Sequence, residues 1–293
     1  MLKLPSFAKI NWTLRILGRR PDGYHEVATV LQSVSLCDEL VFELRDDDCV
    51  SLTCDDPAIP VGETNLIVRA ARALSDRHGA DIRLVKKIPA KGGLGGGSSN
   101  AAITLLALNR VWGLNREAAD LREIGAQLGA DVPFFFTGGT AVAKGIGTEL
   151  EQVPDFPGRP LIIVTPNASV STATAYAALN APSLTTPDSV SILSSSFTEP
   201  FSVDSSQCPL HNDFEGVIFE REPEIGRAKV ALLEAGARGA LLAGSGSSVF
   251  GIFSDATTRD RALENLRCEA GWRVFACHTI SHSEYCQAIS TGA

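Results

Sequence analysis

Hydrophobic and polar residues alternate over residues 4–17, the first patterned stretch of the chain. One face carries apolar side chains from Ala8 to Ile16, and the other carries mostly polar ones, including Lys9 and Asn11. A two-residue repeat is the period of a β-strand with one buried face. The pattern therefore predicts a strand that holds Lys9 and Asn11 on its polar side.

Further alternation and helical spacing predict the remaining elements. The predicted strands cover residues 30–36, 39–44, 81–88, 139–144, 161–164, 239–243, 248–253 and 272–279. The predicted helices cover 66–78 after a cap at Thr64 or Asn65, up to Trp112 after a cap at Ser98 or Ser99, 116–128, 213–221, 223–235 and 256–269. Strands and helices alternate irregularly, which favours the α+β class. Three prolines within 152–160 indicate a domain boundary, and the Ser/Thr/Pro-rich stretch 181–207 indicates a long loop.

A glycine-rich segment separates the predicted strand 81–88 from the helix that ends near Trp112. It has five glycines within six residues, followed by two serines. Its members are Pro89, Ala90, Lys91, Gly92, Gly93, Leu94, Gly95, Gly96, Gly97, Ser98 and Ser99. Glycine lets the backbone approach a ligand closely, and a helix N-terminus offers unpaired N–H groups. A strand, a glycine loop and a helix in this order predict a binding site for a phosphate chain rather than a flexible linker.

Two well-known phosphate motifs do not fit this loop. A Walker A loop ends in Gly-Lys-Ser/Thr, whereas Gly97 is followed directly by Ser98, and Lys91 precedes the main glycine cluster. The dinucleotide pattern GxGxxG also fails, because its sixth position is Ser98 when counted from Gly93 and Asn100 when counted from Gly95. The failed dinucleotide pattern speaks against a hydride-transfer enzyme.

Composition narrows the class of protein. The chain has 293 residues, of which 44% are hydrophobic and 20% charged, so it can build a sizeable core. A net charge of −8 argues against nonspecific nucleic-acid binding. Seven cysteines without CxxC spacing suggest free thiols in a reducing cytoplasm. No signal peptide or membrane-spanning run is recognisable, so we expect a cytoplasmic monomer or homodimer.

The loop resembles the central motif of the GHMP kinases, a family that includes galactokinase, homoserine kinase and mevalonate kinase. The usual pattern is a proline, a short spacer and Gly-Leu-Gly-Ser-Ser-Ala, whereas residues 93–100 read Gly-Leu-Gly-Gly-Gly-Ser-Ser-Asn. This variant is similar to one branch, whose substrate is a cytidine diphosphate ester of a small polyol on the non-mevalonate route to isoprenoids. The resemblance implies an α+β two-domain GHMP fold. It comprises a ribosomal-protein-S5-domain-2-like nucleotide domain, residues 1–153, and a ferredoxin-like α/β sandwich, residues 154–293.

Two side chains gain catalytic roles from this resemblance. Asp131 lies in Gly-Ala-Asp-Val-Pro-Phe, residues 129–134, which matches the segment with the branch's catalytic aspartate. Residues 8–11, Ala-Lys-Ile-Asn, resemble its N-terminal signature, in which the lysine pairs with that aspartate. Taken alone, Asp131 reads as a capping residue of a turn, and Lys9 reads as a solvated lysine. The resemblance favours the catalytic interpretation of both.

The same resemblance assigns the substrate side of the site. Asp-Gly-Tyr-His at residues 22–25 implies that Tyr24 stacks on a cytosine and that His25 reads its edge. Thr172 and Tyr176 fall where the branch places a threonine and a second stacking aromatic residue, and Asn11 completes the substrate set. Core packing is the alternative role of the aromatic residues. Two further matches are His-Asn-Asp at 211–213, read as a helix cap, and the third glycine motif at 243–250.

The implied cofactors are ATP and Mg²⁺. Asn65 is similar to a family position near the adenine, and the candidate metal ligands are Ser98 or Ser99, together with Asp131. The implied reaction is transfer of the ATP γ-phosphate to a hydroxyl of the cytidyl substrate. Two alternatives stay open, namely a homoserine or mevalonate type of GHMP kinase and a non-catalytic nucleotide-binding regulator with the same fold.

Overall fold

The structure is a computed structural model that describes residues 1–156, 158–168, 170–179, 181–183 and 210–290. Most of the predicted loop 181–207, and Cys208, lie outside the described residues. The strands are β1 Leu2–Arg19, β2 His25–Arg45, β3 Val50–Cys54, β4 Gly79–Val85, β5 Thr140–Lys144, β6 Glu149–Gln152, β7 Pro160–Thr165, β8 His211–Asn212, β9 Gly239–Leu242, β10 Val249–Ile252 and β11 Arg273–His278. The helices are α1 Leu66–Leu74, α2 Gly96–Val111, α3 Ala118–Leu128, α4 Thr172–Ala178, α5 Phe214–Arg221, α6 Pro223–Glu234, α7 Ala256–Leu266 and α8 His282–Ser290, with a 3₁₀ helix at Val132–Phe136.

The first sheet is built on a long antiparallel ribbon of β1 and β2. Its order is β3-β4-β2-β1-β8, and β5 pairs with both β2 and β6. The sequence pattern predicted two strands where β2 runs unbroken, and that prediction was wrong. A register shift occurs opposite Phe7 and Ala8, where Cys37 and Val34 are the successive partners. Such a bulge interrupts the alternation of side chains without ending the strand.

Helices α1, α2 and α3 pack on this sheet and enclose the first hydrophobic core. The sequence pattern predicted a helix that continues to His78, but α1 ends at Leu74 and Gly79 begins β4. A Cβ on Gly79 would lie 2.3 Å from the Asp47 carbonyl oxygen, so this glycine permits close approach of two backbone segments. The glycine therefore serves the sheet, not the helix.

The second sheet is antiparallel and has the order β11-β7-β10-β9. Helices α4 to α7 contribute to the core on one of its faces. The other face joins β1 in a third apolar cluster, where the Trp12 ring makes edge contacts with Phe156 and Phe250. The two sheets thus share a packed interface, and the mixture of elements confirms the α+β class.

Two described helices were absent from the sequence-based prediction, α4 and α8. Helix α8 returns to the first core, where the fully buried Tyr285 donates its hydroxyl to the Phe135 carbonyl at 2.6 Å and packs on Phe7. Its short amphipathic pattern acquires an apolar partner only through the fold. Within the described ranges, no helix is long and apolar enough to cross a membrane.

Candidate active site

A cavity of about 700 Å³ opens between β1, the start of α2 and helix α4. Seven of the side chains predicted from the sequence line it, namely Lys9, Asn11, Tyr24, His25, Asp131, Thr172 and Tyr176. Ser98 and two glycines of the loop, Gly93 and Gly95, also line it. The fold thus brings together residues that lie more than 160 positions apart in the chain. We call this space the substrate cavity.

Lys9 and Asp131 face each other in this cavity. The Lys9 ammonium is 3.6 Å from Asp131 Oδ2 and donates to Asn11 Oδ1 at 2.9 Å. Asn11 in turn donates to Thr29 Oγ1 at 2.8 Å, which holds the amide in one orientation. Lys9 is 4% exposed, whereas the Asp131 side chain is 41% exposed. A buried cation beside an open carboxylate can orient a hydroxyl and stabilise developing negative charge.

The backbone of Lys9 also joins this pair to the glycine loop. Its N–H donates to the Leu94 carbonyl at 2.9 Å. Asp131 itself precedes the 3₁₀ helix Val132–Phe136 and makes no side-chain capping bond there. Its carboxylate is therefore directed to the cavity and does not serve the turn.

An aromatic stack forms the other end of the substrate cavity. The His25 and Tyr176 rings are stacked with centroids 4.5 Å apart, and Phe214 meets Tyr176 edge-on at 5.0 Å. Burial, assisted by the nearby Arg19, lowers the pKa of His25 and so favours the neutral ring. Burial, with a contribution from Asp131, raises the pKa of Tyr176 to about 12. Tyr24, the predicted stacking residue, is 62% exposed at the rim.

The turn that carries Tyr24 and His25 is held by Arg20, which sequence reasoning missed. The Arg20 guanidinium bonds Asp22 at 3.0–3.1 Å and the almost fully buried Glu26 at 3.0 Å. The Arg20 backbone N–H donates to the Tyr24 carbonyl, and Tyr24 N–H donates to Asp22. These bonds order the turn before any ligand arrives. An arginine followed two and six residues later by carboxylates was the available signal.

A second cavity, of about 290 Å³, lies along the glycine loop; we call it the nucleotide cavity. Residues 89–98 line it, together with Ile59, Asn65, Leu66, Leu84, Lys86 and Asn100. Asn65 caps α1 as predicted, because its Oδ1 accepts from Ile67 N–H at 2.9 Å. Its Nδ2 donates to the Pro60 carbonyl. Apolar side chains and a helix N-terminus therefore share one cleft, as a nucleotide requires.

The predicted cap at Ser98 or Ser99 was wrong. Helix α2 begins at Gly96 after Gly95, whose φ of 70° lies in the left-handed region that glycine adopts easily. The serines are consequently inside the first turn. Ser98 lines both cavities, whereas Ser99 is fully buried and its hydroxyl accepts from Ser6 at 2.7 Å. Only Ser98 presents its side chain to a ligand.

A buried polar cluster lies beneath the loop and was also missed by sequence reasoning. Asp38, fully buried, accepts from the Lys86 ammonium at 2.7 Å and from Asn100 Nδ2 at 3.1 Å. It also accepts from the backbone N–H groups of Lys87 and Ile88. This cluster connects β2, the exit of β4 and α2, and so determines the shape of the loop. An aspartate that follows Leu36 and Cys37 and precedes the apolar residues 40–42 was the signal.

Asn100 contributes more than this bond. Its Oδ1 is buried and has no hydrogen-bond partner among the described residues, although the side chain lines the nucleotide cavity. A buried acceptor without a donor is costly, so the atom is suited to accept from a bound nucleotide.

Within the part of the chain that the structure describes, no group of three or more His, Cys, Asp or Glu side chains could hold a metal ion. The six described cysteines form no disulfide.

Comparison with known proteins agrees with this geometry. The sequence profile of the GHMP kinases N terminal domain matches residues 65–139, and that of the GHMP kinases C terminal matches residues 203–271. The 4-diphosphocytidyl-2-C-methyl-D-erythritol kinase of Syntrophotalea carbinolica is 45% identical over 94% of this chain and 97% of that protein. The chain belongs to the GHMP kinase family. It is an ATP-dependent small-molecule kinase.

Other relatives of this GHMP kinase divide into two groups. The enzyme of the same name from Geobacter sulfurreducens is 42% identical over 95% of this chain and 99% of that protein. A crystal structure of 4-(cytidine 5'-diphospho)-2C-methyl-D-erythritol kinase has a TM-score of 0.76 and 33% identity, over 96% of this chain and 100% of that one. The homoserine kinase of Cytophaga hutchinsonii, with a TM-score of 0.67 over 96% of each chain, is only 19% identical. That last likeness shows the shared fold alone.

Proposed function

We propose that this GHMP kinase transfers the γ-phosphate of ATP to the 2-hydroxyl of 4-diphosphocytidyl-2-C-methyl-D-erythritol. The products are the 2-phosphate and ADP, and the step belongs to the non-mevalonate route to isopentenyl diphosphate. One observation carries the proposal, namely that a single cavity holds the Lys9–Asp131 pair and the His25–Tyr176 stack. Relatives at 40–45% identity bear the name of this kinase.

The phosphate transfer takes place at the end of the cavity that holds Lys9 and Asp131. Asp131 accepts a hydrogen bond from the substrate hydroxyl and takes its proton as the bond to phosphorus forms. Lys9, held by Asn11, stabilises the charge that develops on the transferring group. The N–H groups at the start of α2, with Ser98, bind the phosphates that leave as ADP. Positioning and electrostatics supply most of the catalysis in such reactions.

The aromatic end selects the substrate. A cytosine ring stacks beside His25 and Tyr176, covered by Tyr24 at the rim, and Thr172 lines the same cavity. On the other side, Asn65 and the loop 89–99 hold the ATP. Residues 1–153 act as the nucleotide domain and residues 154–293 as the substrate domain. The cytoplasmic location and the monomeric or dimeric state stay predictions.

Magnesium ion fits the oxygen donors that are present. Mg²⁺ prefers carboxylate, hydroxyl and phosphate oxygens and keeps several waters, so it needs few protein ligands. Ser98 Oγ and the half-open Asp131 carboxylate would hold it, whereas the buried Ser99 would not. When bound with ATP, the ion would neutralise charge on the phosphate chain.

ADP release measured with a panel of alcohols tests the proposal. The cytidyl substrate should stimulate ADP release strongly, whereas homoserine and mevalonate should not, because neither has a base to fill the aromatic end. A matched panel member is the same polyol phosphate without its cytidine, which should bind weakly. Stimulation by mevalonate or homoserine would favour the first alternative. ATP binding without turnover of any alcohol would favour a regulator.

A further inference from the structure

A third cavity lies between the glycine loop and the second glycine segment, with a volume of about 340 Å³. We call it the junction cavity; it is lined by Lys91, Gly93, Val170, Ser171, Thr172, Ser245 and Gly246. It shares Lys91 and Gly93 with the nucleotide cavity. It shares Gly93, Thr172 and Ser245 with the substrate cavity. The junction cavity therefore adjoins both the nucleotide cavity and the substrate cavity.

The two glycine segments that frame the junction cavity are joined by their backbones. Ser248 N–H donates to the Gly92 carbonyl at 3.1 Å, and Ser247 N–H approaches the Lys91 carbonyl at 3.4 Å. A Cβ on Gly93 would lie 1.9 Å from the Ala243 carbonyl oxygen, which only glycine avoids. The wall that carries Lys91 is thus fixed in place.

Lys91 itself adopts an unfavourable backbone conformation. Its φ is 56°, in the left-handed region, which is sterically unfavourable for a residue with a Cβ. Glycines with positive φ occupy positions 93 and 95 of the same loop, so glycine would suit position 91 as well. Strain of this kind is found at binding sites, where the side chain has a use.

The charge environment of Lys91 differs from that of the other two lysines of the cleft. Lys9 has Asp131 as its carboxylate partner, and Lys86 has Asp38. Lys91 is exposed, and in the described ranges it makes no ion pair. None of the described residues that line the junction cavity is acidic. Its ammonium group is therefore available to an anionic ligand.

Hydroxyl groups complete the opposite wall. Thr172 Oγ1 and Ser245 Oγ share a hydrogen bond at 3.1 Å, so both hydroxyls line the same space and one of them keeps its O–H for a ligand. A cation and two hydroxyls around a cavity without described carboxylates match the needs of a phosphate group, which offers several strong acceptor oxygens. Lysine binds such a group as a point charge with three donors.

We propose that the junction cavity is a second phosphate subsite, in which the Lys91 ammonium and the Thr172 and Ser245 hydroxyls bind the oxygens of a diphosphate chain. The proposal rests on the proposed function and names a contact beyond the backbone N–H groups of the loop. The chain is either the diphosphate of the cytidyl substrate or the phosphate tail of ATP, because the cavity borders the sites of both. The two sources share one chemistry and are separated by the test.

Calorimetric titration of the full chain with ADP, cytidine 5'-diphosphate, adenosine and cytidine tests this subsite. Lys91→Gly removes the ammonium and suits the positive φ, so the variant should fold with an unchanged or higher melting temperature. The variant should bind ADP or cytidine 5'-diphosphate about tenfold or more weakly, since a hydrogen bond to a charged group is lost. The diphosphate whose affinity falls identifies which of the two substrates occupies the subsite. Both nucleosides should keep their affinities within about twofold, because they carry no phosphate.

Two matched variants separate a local contact from a general effect. Lys91→Arg keeps the cation and should retain most of the diphosphate affinity. Lys87→Met removes the same charge from an exposed position four residues earlier, outside the described lining of the cavity, and should change no affinity by more than about twofold.

Unchanged binding of both diphosphates to Lys91→Gly would overturn the subsite, as would equal weakening of diphosphates and nucleosides. Failure of the wild-type chain to bind any cytidine compound would instead count against the proposed function. The two failures are therefore distinguishable in one series of titrations.

Discussion

The two sides of the active-site cleft are stabilised in different ways. The nucleotide wall, residues 89–99 with the buried cluster of Asp38, Lys86 and Asn100, rests on charges inside the protein. The substrate wall, Tyr24 and His25 with Thr172 and Tyr176, is a partly exposed group of side chains from two distant segments. A wall held by buried charges suits a phosphate chain that must be held in line, and a wall of partly exposed aromatic side chains suits a flat base. Substitutions in the nucleotide wall should therefore lower stability, whereas substitutions in the substrate wall should mainly change substrate binding.

The largest effect should come from Asp131, which lies between the walls. Asp131→Asn should lower kcat by about 10²–10⁴, because the amide cannot accept the hydroxyl proton. Folding should be preserved, since the side chain is half-exposed and makes no capping bond. Steady-state ADP release with saturating substrates measures the change. Near-normal turnover would show that Asp131 does not serve as a base.

Asp38→Asn tests the nucleotide wall. The substitution leaves the Lys86 ammonium buried without its counter-charge, which should lower the free energy of unfolding by about 3–5 kcal/mol. The KM for ATP should rise as well, whereas the KM for the cytidyl substrate should change less. Urea unfolding and kinetics measure both. The matched control is Asp81→Asn, in the exposed pair with Arg45, which should cost less than about 1 kcal/mol.

Arg20→Met tests the preordered turn of the substrate wall. Loss of the Asp22 and Glu26 contacts should raise the KM for the cytidyl substrate about three- to tenfold, because binding must then order the turn. The KM for ATP should stay constant. Arg45→Met is the control, since Arg45 bridges Asp47 and Asp81 at 2.6–3.0 Å away from the substrate cavity. Equal effects of both substitutions on substrate KM would contradict the assignment.

The smallest effect concerns pH and His25. Burial lowers its pKa below the usual 6.5, so the unfolded chain binds the proton more readily than the folded one. The contribution of His25 to the free energy of unfolding is therefore fully present above pH 6.5. It is lost as the pH falls from 6.5 through the lower pKa of the folded state. Protonation should also disturb the stack on Tyr176 and raise the KM for the cytidyl substrate in acid. In the His25→Gln variant, the KM for the cytidyl substrate should depend less on pH. The KM for ATP should be the same as in the unaltered protein.

The nucleotide side was the more predictable from sequence. Strand, glycine loop and helix are adjacent in the chain, so their order alone indicated a phosphate site, and the structure has that order. Local rules failed at the helix start, because the left-handed Gly95 took the position expected of a serine cap. They also failed for Asp38, whose partners lie about 50 and 62 positions away. Partners at that separation leave no local pattern.

The sequence by itself determined the strand that presents Lys9 and Asn11, the glycine loop and the motifs that resemble one kinase branch. Period, turn chemistry and glycine content are local properties, so they can be read without the fold. Only the tertiary structure decided that Ser98 and not Ser99 faces the ligand, that His25 stacks on Tyr176, and that Lys91 borders the nucleotide cavity and the junction cavity. Those outcomes depend on contacts between segments that are distant in the chain. These segments meet only when the protein has folded and the two sheets have packed against each other.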